Sequence, residues 1–323
     1  MSSKLPEPIC AFLISSDGTP VSIPLPKKLD DFVVSDGYIW LHFNVTELGF
    51  ETWLERLFSR TVASAMIEPE TRPRCDQLEK GLILNLRGVN LNPGADPDDM
   101  VSLRLWVTEK LILSARVRKL ISVDAIKQKI ESGIAPISVV SFLNELAFEL
   151  TKRIEKVSLT LVERADTIEE DAFSPKKMFT GELATLRQSV IKLRRFIRPQ
   201  SIALAELAEG KVLALDPQSA SMLRETTNRS IRTVEELDTT SDRLQALQDH
   251  LDMLSTSALG RNSYVLSVVA AIFLPLGFLT GLFGVNVGGM PLVDSHYGFM
   301  GVTVGSALIG IVLFLVFRQL KWL

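Results

Sequence analysis

"YVLSVVAAIFLPLGFLTGLFGVNVGGMP", residues 264–291, decides the architecture of this chain. From just after Arg261 to just before Asp294 no residue carries a formal charge, and a second uncharged run follows at Tyr297–Phe317. Each run supplies the roughly 20 apolar residues needed to cross a hydrocarbon core. The pattern predicts two transmembrane helices, Tyr264–Phe283 and Tyr297–Phe317. The first ends in an unusual way, with four glycines and Asn286 crowded into residues 279–291.

The flanks set the expected orientation, because basic residues are retained on the cytoplasmic side. Arg261 precedes the first run, Arg318 and Lys321 follow the second, and the loop between them has one Asp and no Lys or Arg. Both termini are therefore expected in the cytoplasm, with residues 284–296 outside. The first residues, "MSSKLPEPIC", lack the basic-then-apolar order of a secretory signal. That leaves some 260 residues for the cytosolic side.

Hydrophobic residues make up 46% of the 323, and the formal net charge of −3 points to no particular partner. Two cysteines, Cys10 and Cys75, are too few and too far apart for a disulfide framework or a metal knuckle. Residues 1–133 read as an N-terminal α/β domain. β-rich runs at 9–15, 38–44, 81–87, 101–107 and 110–116 alternate with turn signals, an amphipathic helical stretch at 46–58 and a loop in "NPGADPDD" at 92–99. Residues 134–260 read as a long-helix domain and stalk: one helix over 136–171, a second restarting at Pro175 and ending near Gly210, and a third opened by Asp216–Pro217 as cap and first-turn proline. Residues 261–323 form the membrane part.

Between Pro217 and Pro275 there is no proline and only Gly260 among glycines, so the third helix is expected to run unbroken into the membrane. Seven-residue steps along it give Glu235, Asp242, Asp249, Thr256, Ser263, Ala270, Gly277 and Gly284, interleaved with Thr239, Ala246, Met253, Gly260, Ser267, Leu274 and Gly281. Positions three and four apart share a side of a helix. One stripe thus passes from carboxylates through hydroxyls to glycines. It serves either as a close-packing seam of small residues or as the lining of a cation path. Two spans per chain cannot enclose a pore, so the second role requires several copies about an axis, where each acidic position becomes a ring of carboxylates.

Asn286 fits two roles in the same way. Its carboxamide is costly to leave unpaired near a bilayer, so it either caps the helix end or joins a ring of neutral oxygens at a pore entrance. Tetrahedral zinc cages call for Cys and His at short spacings, and the three histidines, His42, His250 and His296, form no such pattern. Asp249 with His250, and Asp294 with His296, are candidate transient cation sites or proton carriers, set against the plain reading of solvated helix ends. The basic "KLRRFIR" (192–198) and acidic "ERADTIEED" (163–171) read as surface rather than as nucleic-acid, lipid or regulatory-metal sites. No phosphate-binding glycine loop, zinc-protease motif or nucleophile elbow occurs, so neither an ATP-driven pump nor a hydrolase is indicated.

"GLFGVN" followed by "GGMP", with "FLPLGFLTGLFGVN", "ETRPR" at 70–74 and the closing "KWL", resembles the CorA metal-ion transporter family in its zinc-transporting branch. That branch carries Gly-Val-Asn where magnesium members carry Gly-Met-Asn. The resemblance implies an α+β cytosolic domain, a long helical stalk and two C-terminal spans, assembled as a homopentameric funnel in the cell inner membrane. It implies transport of Zn²⁺ as cargo, with Mg²⁺, Co²⁺, Ni²⁺ or Cd²⁺ as alternatives, proton coupling, no catalytic residues, no cofactor and no nucleic-acid partner. Carried over by position, the selectivity motif is Gly284, Val285 and Asn286. Leu274, Gly277, Leu266 and Ser263 match pore-facing residues of the first span, and Asp249 matches the acidic mouth. A cytosolic sensor merely anchored by its two spans is the rival from another class.

Overall fold

The computed structural model describes residues 5–32, 34–69, 71–172, 180–210, 213–285 and 295–319. The chain divides into two compact units, Met1–Ala246 and Leu247–Leu323.

The first unit is built on a seven-stranded sheet. Its strands are β1 (Cys10–Ile14), β2 (Pro20–Ser22), β3 (Tyr38–Asn44), β4 (Arg74–Leu78), β5 (Gly81–Gly88), β6 (Val101–Val107) and β7 (Leu111–Arg116). Their order is β2-β1-β3-β7-β6-β5-β4, antiparallel throughout except for the parallel pair β3 and β7. Strand alternation sends successive side chains to opposite faces, and β3 shows the result. Ile39, Leu41 and Phe43 point into a core with Phe50, Trp53, Leu54, Val62 and Met66 of helices α1 (Phe50–Leu57) and α2 (Arg60–Ile67). Tyr38 and Trp40 point the other way, into a core with Val123, Ile126, Phe142, Leu146 and Leu204. Those residues belong to α3 (Ile121–Glu131), α4 (Val139–Ala172) and α5 (Thr180–Ala208).

Two glycines make this sandwich possible. Gly37 holds φ +77 before β3, where a Cβ would lie 1.9 Å from the Ile14 carbonyl oxygen. At Gly88 a Cβ would meet the Leu120 tip at 2.6 Å and the Leu150 tip at 2.8 Å, so glycine lets these two leucines pack directly on the β5 backbone.

His42 is the polar member of the β3 face and is fully buried. Its Nδ1 lies 2.9 Å from Ser114 Oγ and its Nε2 accepts from Arg116 Nε at 3.0 Å. Accepting at Nε2 leaves Nδ1 as the protonated nitrogen. Ser114 Oγ then accepts from that nitrogen and from Trp40 Nε1, and donates to the Leu41 carbonyl. Arg116 completes the chain on Asp124 at 3.1 Å. Burial first, and the Arg116 charge second, push the His42 imidazole down to about 3, so it stays neutral. Burial also pushes the Cys10 and Cys75 thiols up to about 12, which makes both inert core residues.

Helix α6 (Pro217–Phe283) runs through both units, as the lack of proline between Pro217 and Pro275 and the single Gly260 in that stretch lead one to expect. Asp216 caps it, accepting from the Ser219 amide at 2.9 Å. In the first unit its inward line, including Leu223, Thr227, Ser230, Val234, Leu237, Ser241 and Leu244, is buried. Thr227 and Thr240 return their hydroxyls to carbonyls four residues back, at 2.8 and 2.7 Å, so small polar side chains pack without orphaned donors. Ion pairs lock the register to α4. Arg229 grips Glu155, and Arg243 grips Glu169 and Asp166. Both members advance by 14 residues, four turns, from the first lock to the second, so α4 and α6 run parallel. On α5, Arg194 and Arg198 both close on Asp238 of α6.

The second unit holds the rest of α6 and helix α7 (Gly298–Gln319). Both are long and apolar enough to cross a membrane. α7 has no buried residue, and most large apolar side chains on the end of α6 are exposed.

Candidate ion-conduction helices

The segment Ser263–Phe283 is helical because its residues have no competing use for the backbone. Ser267 donates to the Ser263 carbonyl at 2.9 Å and Thr280 to the Leu276 carbonyl at 3.0 Å. Both hydroxyls are thus satisfied within the helix, which removes most of their cost in hydrocarbon. Pro275 lies inside the helix and cannot donate to the Ala271 carbonyl four residues back. Close to that defect the two spans meet. A Cβ on Gly310 of α7 would lie 3.8 Å from Leu276 Cδ1, so a small residue on one helix receives a large one from the other.

The stripe keeps to an exposed side of α6. Glu235, Thr239, Asp242, Ala246 and Asp249 are all exposed, whereas the buried line runs through Val234, Leu237, Ser241 and Leu244. In the apolar part, Ser263 is exposed, Leu266 is 70% and Leu274 is 74% exposed, and Gly277 is open with nothing within 4 Å of a Cβ. Gly284 and Val285 follow the last turn, where the Gly284 amide donates to the Gly281 carbonyl at 3.1 Å. Asn286 and Asp294 lie outside the described residues. His296 is exposed before α7, edge-on to Tyr297 at 5.8 Å between ring centroids. Asp249 and His250 are consecutive on α6, about 100° apart around the helix. Among the described residues no group of three or more His, Cys, Asp or Glu is placed to hold a metal ion.

The acidic and basic runs of the first unit's helices have clear uses. Asp166 and Glu169 of "ERADTIEED" receive Arg243, which raises the guanidinium's affinity for its proton, Glu169 acting more strongly than Asp166. Arg194 and Arg198 of "KLRRFIR" receive Asp238. Sequence reasoning missed these locks. The signal was present as Arg229 and Arg243 spaced like Glu155 and Glu169.

Residues 35–319 match the family model described as CorA-like Mg2+ transporter protein, and the chain belongs to that family. Among relatives, it is 35% identical over 276 residues to the zinc transport protein ZntB of Pectobacterium carotovorum subsp. carotovorum, covering 85% of this chain and 84% of that one. It is 33% identical over 290 residues to the divalent cation transporter CmaX of Pseudomonas aeruginosa, covering 88% and 87%. The structure of full-length CmaX superposes on it with a TM-score of 0.80 at 30% identity, covering the whole of both chains.

Proposed function

We propose that this protein carries divalent cations, Zn²⁺ foremost, across the cell inner membrane through an axial path formed by a homopentamer. The observation that carries the reading is the extent of the family match. It runs from the β-sheet through both apolar helices, so the resemblance covers the membrane part as well as the cytosolic one. Relatives named for zinc transport favour zinc as cargo, and Val285 in place of methionine separates the motif from the magnesium form.

In this reading the exposed stripe of α6 faces the axis of the assembly. Glu235, Asp242 and Asp249 then present stacked carboxylate rings that concentrate cations at the cytosolic mouth. The hydroxyls and glycines above them form a narrow, neutral lining at Ser263, Leu266, Leu274 and Gly277. Asn286, one per copy, collars the outer entrance with amide oxygens that replace part of an ion's hydration shell. With this collar outside, both termini lie in the cytoplasm. Asp249 with His250, and Asp294 with His296, take up protons or ions transiently at the two mouths and couple zinc movement to the proton gradient.

Proteoliposomes loaded with a zinc-sensitive dye test the scheme. Zinc influx is expected to exceed that of Mg²⁺, Co²⁺, Ni²⁺ and Cd²⁺ in competition, and Asn286→Ala is expected to lower it about tenfold or more. Flux unchanged in Asn286→Ala removes the collar. A folded oligomer that passes none of these ions returns the chain to the role of an anchored sensor.

A further inference from the structure

A cavity of about 400 Å³ opens between the sheet and α5 in the first unit. Four cationic side chains line it, Arg72, Arg87, Lys192 and Arg195, against two carboxylates, Asp98 and Asp99. Both carboxylates are already engaged. Asp98, nearly buried, holds Lys192 at 3.3 Å, and Asp99 is paired with Arg118. Arg87 is fixed in the wall. It donates to the Thr71 and Met100 carbonyls and lies flat on Phe196, its guanidinium carbon 3.8 Å from the ring centroid. Arg72 and Arg195 are exposed and make no ion pair among the described residues. The cavity therefore has a rigid cationic wall and two guanidinium groups at its rim with charge to spare.

We propose that this cavity binds a di- or triphosphate group, free or carried by a nucleotide. Arg72 precedes β4 and Arg195 lies on α5, so the two rim charges come from different elements, and a ligand with several linked anionic groups can engage both at once. A phosphate chain does so, and each of its terminal groups suits the two-pronged donor geometry of arginine. The Phe196 ring is occupied by Arg87, with Arg195 5.4 Å from its centroid, so recognition lies with the phosphates rather than with a stacked base. The site is also placed to act on α6. Lys192 and Arg195 face the cavity from the same two turns of α5 that send Arg194 and Arg198 to Asp238, and Gln200 on the next turn accepts from the Arg87 amide at 2.6 Å. An occupied cavity stiffens this stretch of α5 and with it the grip on α6.

The test titrates sodium tripolyphosphate into the full-length protein in detergent, metal-free and at constant ionic strength, by calorimetry. One saturable site per chain is expected. Arg72→Ser with Arg195→Ser should weaken binding about tenfold or more, since each removes charge-assisted hydrogen bonds. Replacing both by Lys should restore part of the loss, and Arg232→Ser, at a remote exposed position on α6, should leave affinity unchanged. ATP binding comparably to tripolyphosphate identifies a nucleotide as the carrier, and tripolyphosphate binding alone identifies a free chain. Absence of saturable binding, full affinity in the double serine variant, or equal competition by sulfate overturns the site. Amide exchange over residues 192–200 should slow on binding, and exchange unchanged there overturns the link to α6. Neither readout depends on transport.

Discussion

Acidification should loosen the seven-stranded sheet through one residue, His42. In the unfolded chain its imidazole takes a proton near the ordinary histidine value of about 6.5, while in the sheet it resists protonation down to about 3. The unfolded state thus binds the extra proton, and stability falls as pH drops below the unfolded value, until the folded value is reached. Going from about pH 7.5 to about pH 5 protonates His42 in nearly all unfolded chains and almost no folded ones, a loss of about 2 kcal/mol, or about 30-fold in the opening equilibrium. The network explains why the folded state cannot adapt. A proton on Nε2 would face the Arg116 guanidinium, which donates to that nitrogen at 3.0 Å. Amide exchange of β3 and β7 in the full-length protein, corrected for intrinsic rates, measures the loss at the two pH values. His42→Gln keeps a donor and an acceptor but does not titrate, so its own pH dependence should be about 2 kcal/mol smaller, whatever its stability at neutral pH. Equal pH dependence in wild type and variant would refute the assignment of His42 as a neutral buried link.

Two further outcomes follow from the packing. Gly37→Ala places a Cβ 1.9 Å from the Ile14 carbonyl at φ +77, so it should cost about 2–3 kcal/mol in the exchange stability of β1 and β3 and lower the melting temperature. Arg243→Gln and Glu169→Gln, combined in a double-mutant cycle, should show a coupling of about 0.5–1 kcal/mol that shrinks in high salt, read by thermal unfolding of the full chain. A coupling indistinguishable from zero at low salt would mean that the second α4–α6 lock is not formed in solution.

The sequence was most legible where one side of an element is apolar and the other is not. The strands at 38–44 and 101–107 stand where the β-rich runs between turn signals put them, although β3 is buried on both faces, and the cap at Asp216 begins α6 as its chemistry requires. β4 was missed because it is an edge strand: Arg74, Asp76 and Gln77 are exposed and only Cys75 is buried, so its pattern is polar and carries little periodic signal. β2, three residues long and led by Pro20, is hidden for the same reason. Helices α2 and α3 were passed over because each offers only two or three turns of pattern between loops. Of the candidate path, sequence spacing alone could place the stripe on one side of α6. The matched 14-residue spacings of Arg229 and Arg243 and of Glu155 and Glu169 carry the signal for the flanking ion pairs, but with the partners 74 residues apart in the chain, spacing alone does not pair them.

That division of α6 constrains how the protein can use it. In the first unit the helix is anchored on one side by apolar packing and by cations gripping α4, while its acidic line stays exposed. Exposed carboxylates at seven-residue spacing repel one another along a single helix. In the second unit the same helix exposes Leu266, Phe273, Leu274 and Phe278, and α7 buries none of its residues. Water does not tolerate a patch of that extent, so lipid or other copies of the chain must cover it. Lipid alone would cover the apolar residues but leave the acid line and the open Gly277 without a purpose. In the assembly proposed above, copies meeting along the stripe would turn the repulsion among carboxylates into attraction for a divalent cation on the axis.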